Sequence, residues 1–272
     1  MSSATIELLK NAMVISILTS IVCGIVGTLV YSNRLTFMTG GIAHAAYGGI
    51  GLGIFLNKNI LATLLIFTLC MSLIMAFLTN KQREKSDSVI GLLWAGGMAL
   101  GIILLDLTPG YHGDIMSYLF GSILIVSNDN ILFMFFLTIF TLLIVLLNYH
   151  KFEAISFDYE FAATRGINVS LLYLMMIILI AIAVVMLIQV VGIILVIALL
   201  SIPPYLSSYS ARTMKSMMLM SFLWSLISCT FGMILSFSLN LSSGASIIAV
   251  AVLFGFVYMT LKKIFMKIAY GK

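Results

Sequence analysis

Apolar runs of about 20 residues recur along nearly the whole length of this chain. That is the length an α-helix needs to cross a ~30 Å hydrocarbon layer. Nine runs can be drawn, near 12–31, 36–56, 60–79, 89–107, 130–149, 169–188, 190–207, 216–238 and 245–261. Charged residues make up 8% of the sequence, too few to cover a water-soluble surface. The chain therefore reads as an all-α polytopic membrane protein. No polar, Pro/Ser-rich or repetitive stretch is long enough to act as a linker, so residues 1–272 read as one transmembrane domain. The first run follows Lys10 in the manner of a signal peptide. No small-residue cleavage site ends it, and it is counted as a span.

Basic residues between the runs set an orientation. Arg34, Lys81, Arg83, Lys85, Lys151, Arg165, Arg212, Lys215, Lys262, Lys263, Lys267 and Lys272 all fall on one side, leaving Lys10 and Lys58 for the other. Positive charge marks the cytoplasmic face, which places the N-terminus outside and the C-terminus inside after nine crossings of the membrane. Eight crossings is the alternative, because the first run and the join at Gly192 are the least marked boundaries. The net charge of +5 is dispersed in these short clusters and forms no nucleic-acid patch. Glu7, Asp106, Asp114 and Asp129 fall on the outer side, which makes that face mildly acidic and favourable to an approaching cation. Cys23, Cys70 and Cys229 lie singly inside apolar runs, without metal-ligand or disulfide spacing.

Four stretches depart from plain apolar helix. In "GGIAHAAYGGIGLG", residues 40–53, six glycines provide a surface on which neighbouring helices can approach closely. His44 stands among them. An ionisable group at membrane depth either borders a pathway, where a neutral imidazole suits a transition metal, or is satisfied by a nearby carbonyl. Between the fourth and fifth runs, Pro109 and Gly110 stop a helix, and a short apolar piece over 115–126 then reads as a re-entrant or interfacial segment. His112 and Asp114 lie in this stretch with Asp106 just before it, a ligand mix suited to a divalent metal or simply a solvated turn. Residues 152–170, "FEAISFDYEFAATRGINVS", mix Asp158, Glu160 and Arg165 with Phe157, Phe161 and Ala162. Such a short amphipathic element at the inner face can dock in a partner's groove. Finally, Gly192 and the pair Pro203–Pro204 interrupt apolar sequence, as broken helices at transport sites do and as simple kinks also do.

The absences narrow the class. There is no GxxxxGK[ST] phosphate loop, no HExxH helix and no GxSxG elbow, and three scattered histidines do not build an enzyme site. An autonomous secondary transporter or channel for a cation is the alternative reading. It calls for intramembrane charges or an internal inverted repeat, and the sequence offers only Asp106 near a span and no repeat.

In order and spacing, four blocks resemble the permease subunits of bacterial ABC importers for zinc, manganese and related divalent metals: "GGIAHAAYGGIGLG", "SYLFGSILIVSNDNI", "FDYEFAATRGINVSLLYL" and "QVVGIILVIALLSIPPYLSSYSART". The resemblance implies a permease with no catalytic or nucleotide site of its own and no bound cofactor, carrying Zn, Mn or Fe by alternating access. It also implies a second copy of the chain, a separate ATPase that consumes ATP, an extracytoplasmic metal-binding protein, and lipid around the helices. The "FDxEFAxxxG" block would be the ATPase-coupling element, mapping to Phe157, Asp158, Glu160, Phe161, Ala162 and Gly166. The family's G-D-x-[IL]-[SA]-H motif aligns its histidine with His44 but its acid with Gly40. Asp106 and Asp114 are the carboxylates that remain on the outer half.

Overall fold

The computed structural model describes residues 3–81, 86–109 and 128–270, and every regular element among them is helical. In chain order the helices are α1 (Ser3–Ser32), α2 (Thr36–Ala45), α3 (Tyr47–Phe55), α4 (Ile60–Lys81), α5 (Ser86–Asp106) and α6 (Asn128–Leu147). They continue with α7 (Tyr149–Phe157), α8 (Tyr159–Thr164), α9 (Val169–Val191), α10 (Ile193–Ser208), α11 (Met214–Leu239) and α12 (Ser243–Tyr270). Seven of these are long and apolar enough to cross a membrane. The other two apolar runs become the tandem pair α2–α3 and the 16-residue α10. The expected re-entrant segment, His112 and Asp114 lie outside the described residues.

Burial sorts the helices by layer. In the apolar stretches of α1 and α9, 72% of residues are buried, against 22–33% in α4, α5, α6, α11 and α12. A helix that is apolar on all sides belongs at the centre of a bundle, and α9 has the highest mean hydropathy of the seven, 3.2. α1 packs on α9, α10, α11 and α6, so the centre is built from α1, α9 and α10 with the other helices around it.

The glycine-rich run forms α2 and α3, which lie against α4 and α5. A Cβ built on Gly51 would sit 2.4 Å from the Gly101 carbonyl oxygen, and one on Gly101 would sit 2.6 Å from that of Tyr47. On the other flank, a Cβ on Gly49 would lie 2.9 Å from Leu64 Cα. Backbone therefore meets backbone on both sides, the close approach that small residues permit between membrane helices. The pair is interrupted only at Ala46, where the Gly49 amide donates to the Ala46 carbonyl in a 3₁₀-like step.

A second junction is sharper. α9 and α10 meet at the single residue Gly192, with φ 77° and ψ 166°, a region open essentially to glycine alone. The turn at Gly192 is a true break. Pro203 and Pro204 are not, since α10 runs through both, with the Pro203 carbonyl accepting from Ser207 Oγ at 2.8 Å. Ser207 continues into a buried hydroxyl ladder, receiving a bond from Ser221 at 3.1 Å, which in turn receives one from Thr28 at 3.4 Å. This ties α10, α11 and α1 together through polar groups that lipid could not satisfy.

At one end of the bundle the structure gathers Arg34, Asp87, Tyr159, Lys215 and Lys262. This is the end to which most of the basic residues of the sequence belong, and it is called the basic end below. Lys58 lies between α3 and α4 at the opposite end.

Candidate functional site

His44 lies near the middle of the 20-residue α2–α3 segment, about 12 Å along the helix from Thr36 at a 1.5 Å rise per residue. Its ring is half-buried. Nδ1 stands 2.9 Å from the Gly40 carbonyl oxygen. A carbonyl can only accept, so Nδ1 carries the hydrogen, and in the neutral ring the lone pair is left on Nε2. That is the tautomer a metal-ligating histidine needs, with its other nitrogen held by a carbonyl. The local bond and the ligand reading are thus compatible.

The other face of the imidazole is covered. Trp94 of α5 stacks on it with centroids 4.2 Å apart and planes 26° from parallel. The indole N–H is turned aside toward Met98 Sδ at 3.3 Å, and Phe37 approaches Trp94 at 6.1 Å. Phe37 also lines a cavity of about 820 Å³ at the basic end, together with Met38, Thr79, Asp87, Tyr159 and Tyr173. An aromatic pair therefore stands between that cavity and the mid-depth imidazole. Trp94 and Phe37 went unread in the sequence, because an aromatic residue in an apolar run gives no sign of what it will face. Asp87 reads there only as one charge in a basic loop.

The remaining candidates are dispersed. At position 40 an added Cβ would meet only Ile197, at 3.3 Å from Cδ1, so the absent acid leaves a small space and no carboxylate. Asp106 is exposed at the end of α5, twelve residues beyond Trp94 or about 18 Å along the helix, and is not brought to His44. Among the described residues no three His, Cys, Asp or Glu side chains come together.

The second feature is at the basic end, where α7 and α8 form a corner. Asp158 is extended (φ −153°, ψ 107°) and its Oδ1 accepts the Phe161 amide at 2.9 Å, capping α8. Glu160 in the first turn has the sign that the helix N-terminus favours. Gly166, at φ 76°, ends the element, and Asn168 Oδ1 caps α9 by accepting the Leu171 amide at 3.0 Å. Ala162 is fully buried in a cluster with Phe152, Ile155, Leu29 and Met176, and Asn33 Nδ2 donates to Ser156 Oγ at 2.9 Å. The corner is thus bolted to α1 and α9. Its outer face is apolar and open: Phe157 is 76% exposed and Phe161 53%, with the Arg165 guanidinium 5.2 Å above the Phe161 ring. Exposed aromatics on a rigid mount are what a docking surface presents.

The fold and these two features define a polytopic helical membrane protein, with a half-open imidazole at mid-depth and an anchored aromatic corner at one end. The chain belongs to the ABC 3 transport family, whose model matches residues 5–262. It is 45% identical over 245 residues to an uncharacterized membrane protein of Synechocystis sp., covering 90% of this chain and 87% of that one. It is 28% identical over 249 residues to the manganese transport system membrane protein MntC of Listeria monocytogenes, covering 92% of this chain and 89% of that protein. Among solved structures it resembles PsaBC from Streptococcus pneumoniae in complex with Fab. The TM-score is 0.83 at 27% identity, over 92% of this chain and 90% of that one.

Proposed function

We propose that this chain is the membrane permease of an ABC importer for a divalent metal ion, with manganese the first candidate and zinc and iron the competitors. The observation that carries the reading is His44. It sits at mid-depth, gives Nδ1–H to the Gly40 carbonyl, and keeps Nε2 for a ligand. Manganese relatives support the choice of ion. One neutral imidazole without the neighbouring carboxylate holds such a cation weakly, and a site on a transport route must also release its ion.

In this reading residues 1–272 form one transmembrane unit, and two copies pair to enclose the route. Phe157, Asp158, Glu160, Phe161, Ala162 and Gly166 form the corner that docks a separate ATPase at the cytoplasmic face. An extracytoplasmic binding protein delivers the ion to the outer side, where Asp106, His112 and Asp114 are the candidate receiving groups. Gly192 is the hinge, with Pro203 and Pro204 stiffening α10 below it. The ATPase supplies the energy, and the permease alternates between outward- and inward-open states that bind the ion differently.

The test is accumulation of Mn²⁺, Zn²⁺ and Fe²⁺ in cells lacking other importers, with and without this chain and its ATPase. Manganese should accumulate most, and His44→Ala should reduce uptake severalfold while the complex still assembles. Wild-type uptake by that variant would return His44 to a packing role.

A further inference from the structure

We propose that the groove between the end of α10 and α12, at the basic end, is a binding site for the headgroup of an anionic phospholipid. The groove holds about 490 Å³ and is lined by Tyr209, Phe256, Met259, Thr260, Lys262 and Lys263. This lies within the ~300–1,000 Å³ typical of small-molecule sites. The lining divides by chemistry. Toward the end of α12 it is polar, with Tyr209, Thr260, Lys262 and Lys263. Deeper along the helix, Phe256 (68% exposed) continues into the outward-facing Leu253 and Val252, toward the middle of the span.

Lys262 is held in place. Its ammonium donates to the Tyr209 carbonyl and to Ser210 Oγ, and lies 5.6 Å from the Tyr209 ring centroid. Ser210 is in turn hydrogen-bonded to Tyr258, whose ring meets Trp224 edge-on at 5.1 Å. An ammonium has three donors, so with two engaged a third is left for a ligand oxygen. Exposed Lys263 stands beside it, and Trp and Tyr at this level match the membrane–water boundary.

Among the described residues neither Lys262 nor Lys263 is paired with a carboxylate. No Asp or Glu follows Glu160 in the chain, whereas Arg212, Lys215, Lys262, Lys263 and Lys267 all do. α12 packs on α10 and α11, and neither carries an acidic residue. The charge of the two lysines is open to an anion from outside the chain. A phosphate joined to acyl chains matches both halves of the groove, the lysines and the apolar strip below them.

The test uses the full transporter extracted with its native lipid and read by native mass spectrometry, then titrated with phosphatidylglycerol in phosphatidylcholine nanodiscs. The intact protein should retain the anionic lipid. Lys263→Gln should weaken retention about five-fold, and K262Q/K263Q together about thirty-fold, at about 1 kcal/mol per lysine. K262R/K263R should restore it. Equal retention by all variants overturns the proposal. So does a thermal shift with glycerol phosphate alone that matches the lipid's, since the site would then take a free anion. Loss of the ATPase or of a second copy with lipid retention unchanged overturns it too, by making the groove a protein interface.

Discussion

Two glycines on facing helices show how much a single hydrogen can decide. Gly51 stands where a Cβ would meet the Gly101 backbone oxygen at 2.4 Å, while Gly96, on the same helix as Gly101, has nothing within 4 Å. Backbone cannot swing aside as a side-chain tip can, so Gly51→Ala should cost about 1–3 kcal/mol, the range for overpacking. Gly96→Ala should be nearly neutral. The measurement is the midpoint of thermal unfolding in detergent, and equal midpoints for the two variants would remove the close-packing account of α3 and α5. The same seam places Trp94 over His44, so its loss should also loosen the imidazole.

At the scale of an element, the α7–α8 corner separates its own stability from its surface. Asp158 caps α8 and Phe161 faces outward. Asp158→Ala should fray α8 by about 1 kcal/mol, whereas Asp158→Asn keeps a good cap and should not. Phe161→Ala leaves the cap and the buried Ala162 anchor in place. It should reduce co-purification of the proposed ATPase partner without changing the unfolding midpoint of the membrane part. Undiminished co-purification would take the coupling role away from this face. In the sequence Asp158 and Glu160 read only as acids of an amphipathic stretch, and the cap emerges from the extended backbone at Asp158. Which side of α8 faces outward depends on where Ala162 is buried, and that is set by α1 and α9.

For the whole molecule, the centre consists of the helices with apolar surface all round and the periphery of those with an outward face. The sorting of Lys and Arg predicts the sidedness. In a variant with Cys23, Cys70 and Cys229 replaced, a cysteine at Lys58 should react with a membrane-impermeant maleimide on intact spheroplasts. A cysteine at Arg165 should react only after lysis. The reverse pattern would invert the proposed route and place the α7–α8 corner on the wrong face for an ATPase.

The apolar runs alone decide that this chain is helical and lies in a membrane, because helix formation in hydrocarbon is a local requirement that each run meets by itself. Gly192 offers a possible interruption but is among the least distinct boundaries, since a glycine there permits either a kink or a break, and its backbone angles decide for the break. The interruption at Ala46 had no such mark: no proline or glycine occupies it, and it follows from the seating of α2 and α3 between α4 and α5. The approach of Trp94 to His44 across fifty residues of sequence, and the distance that keeps Asp106 away, also emerged only on packing. Contacts between distant segments depend on how closely two backbones can approach, and that is a property of both surfaces at once.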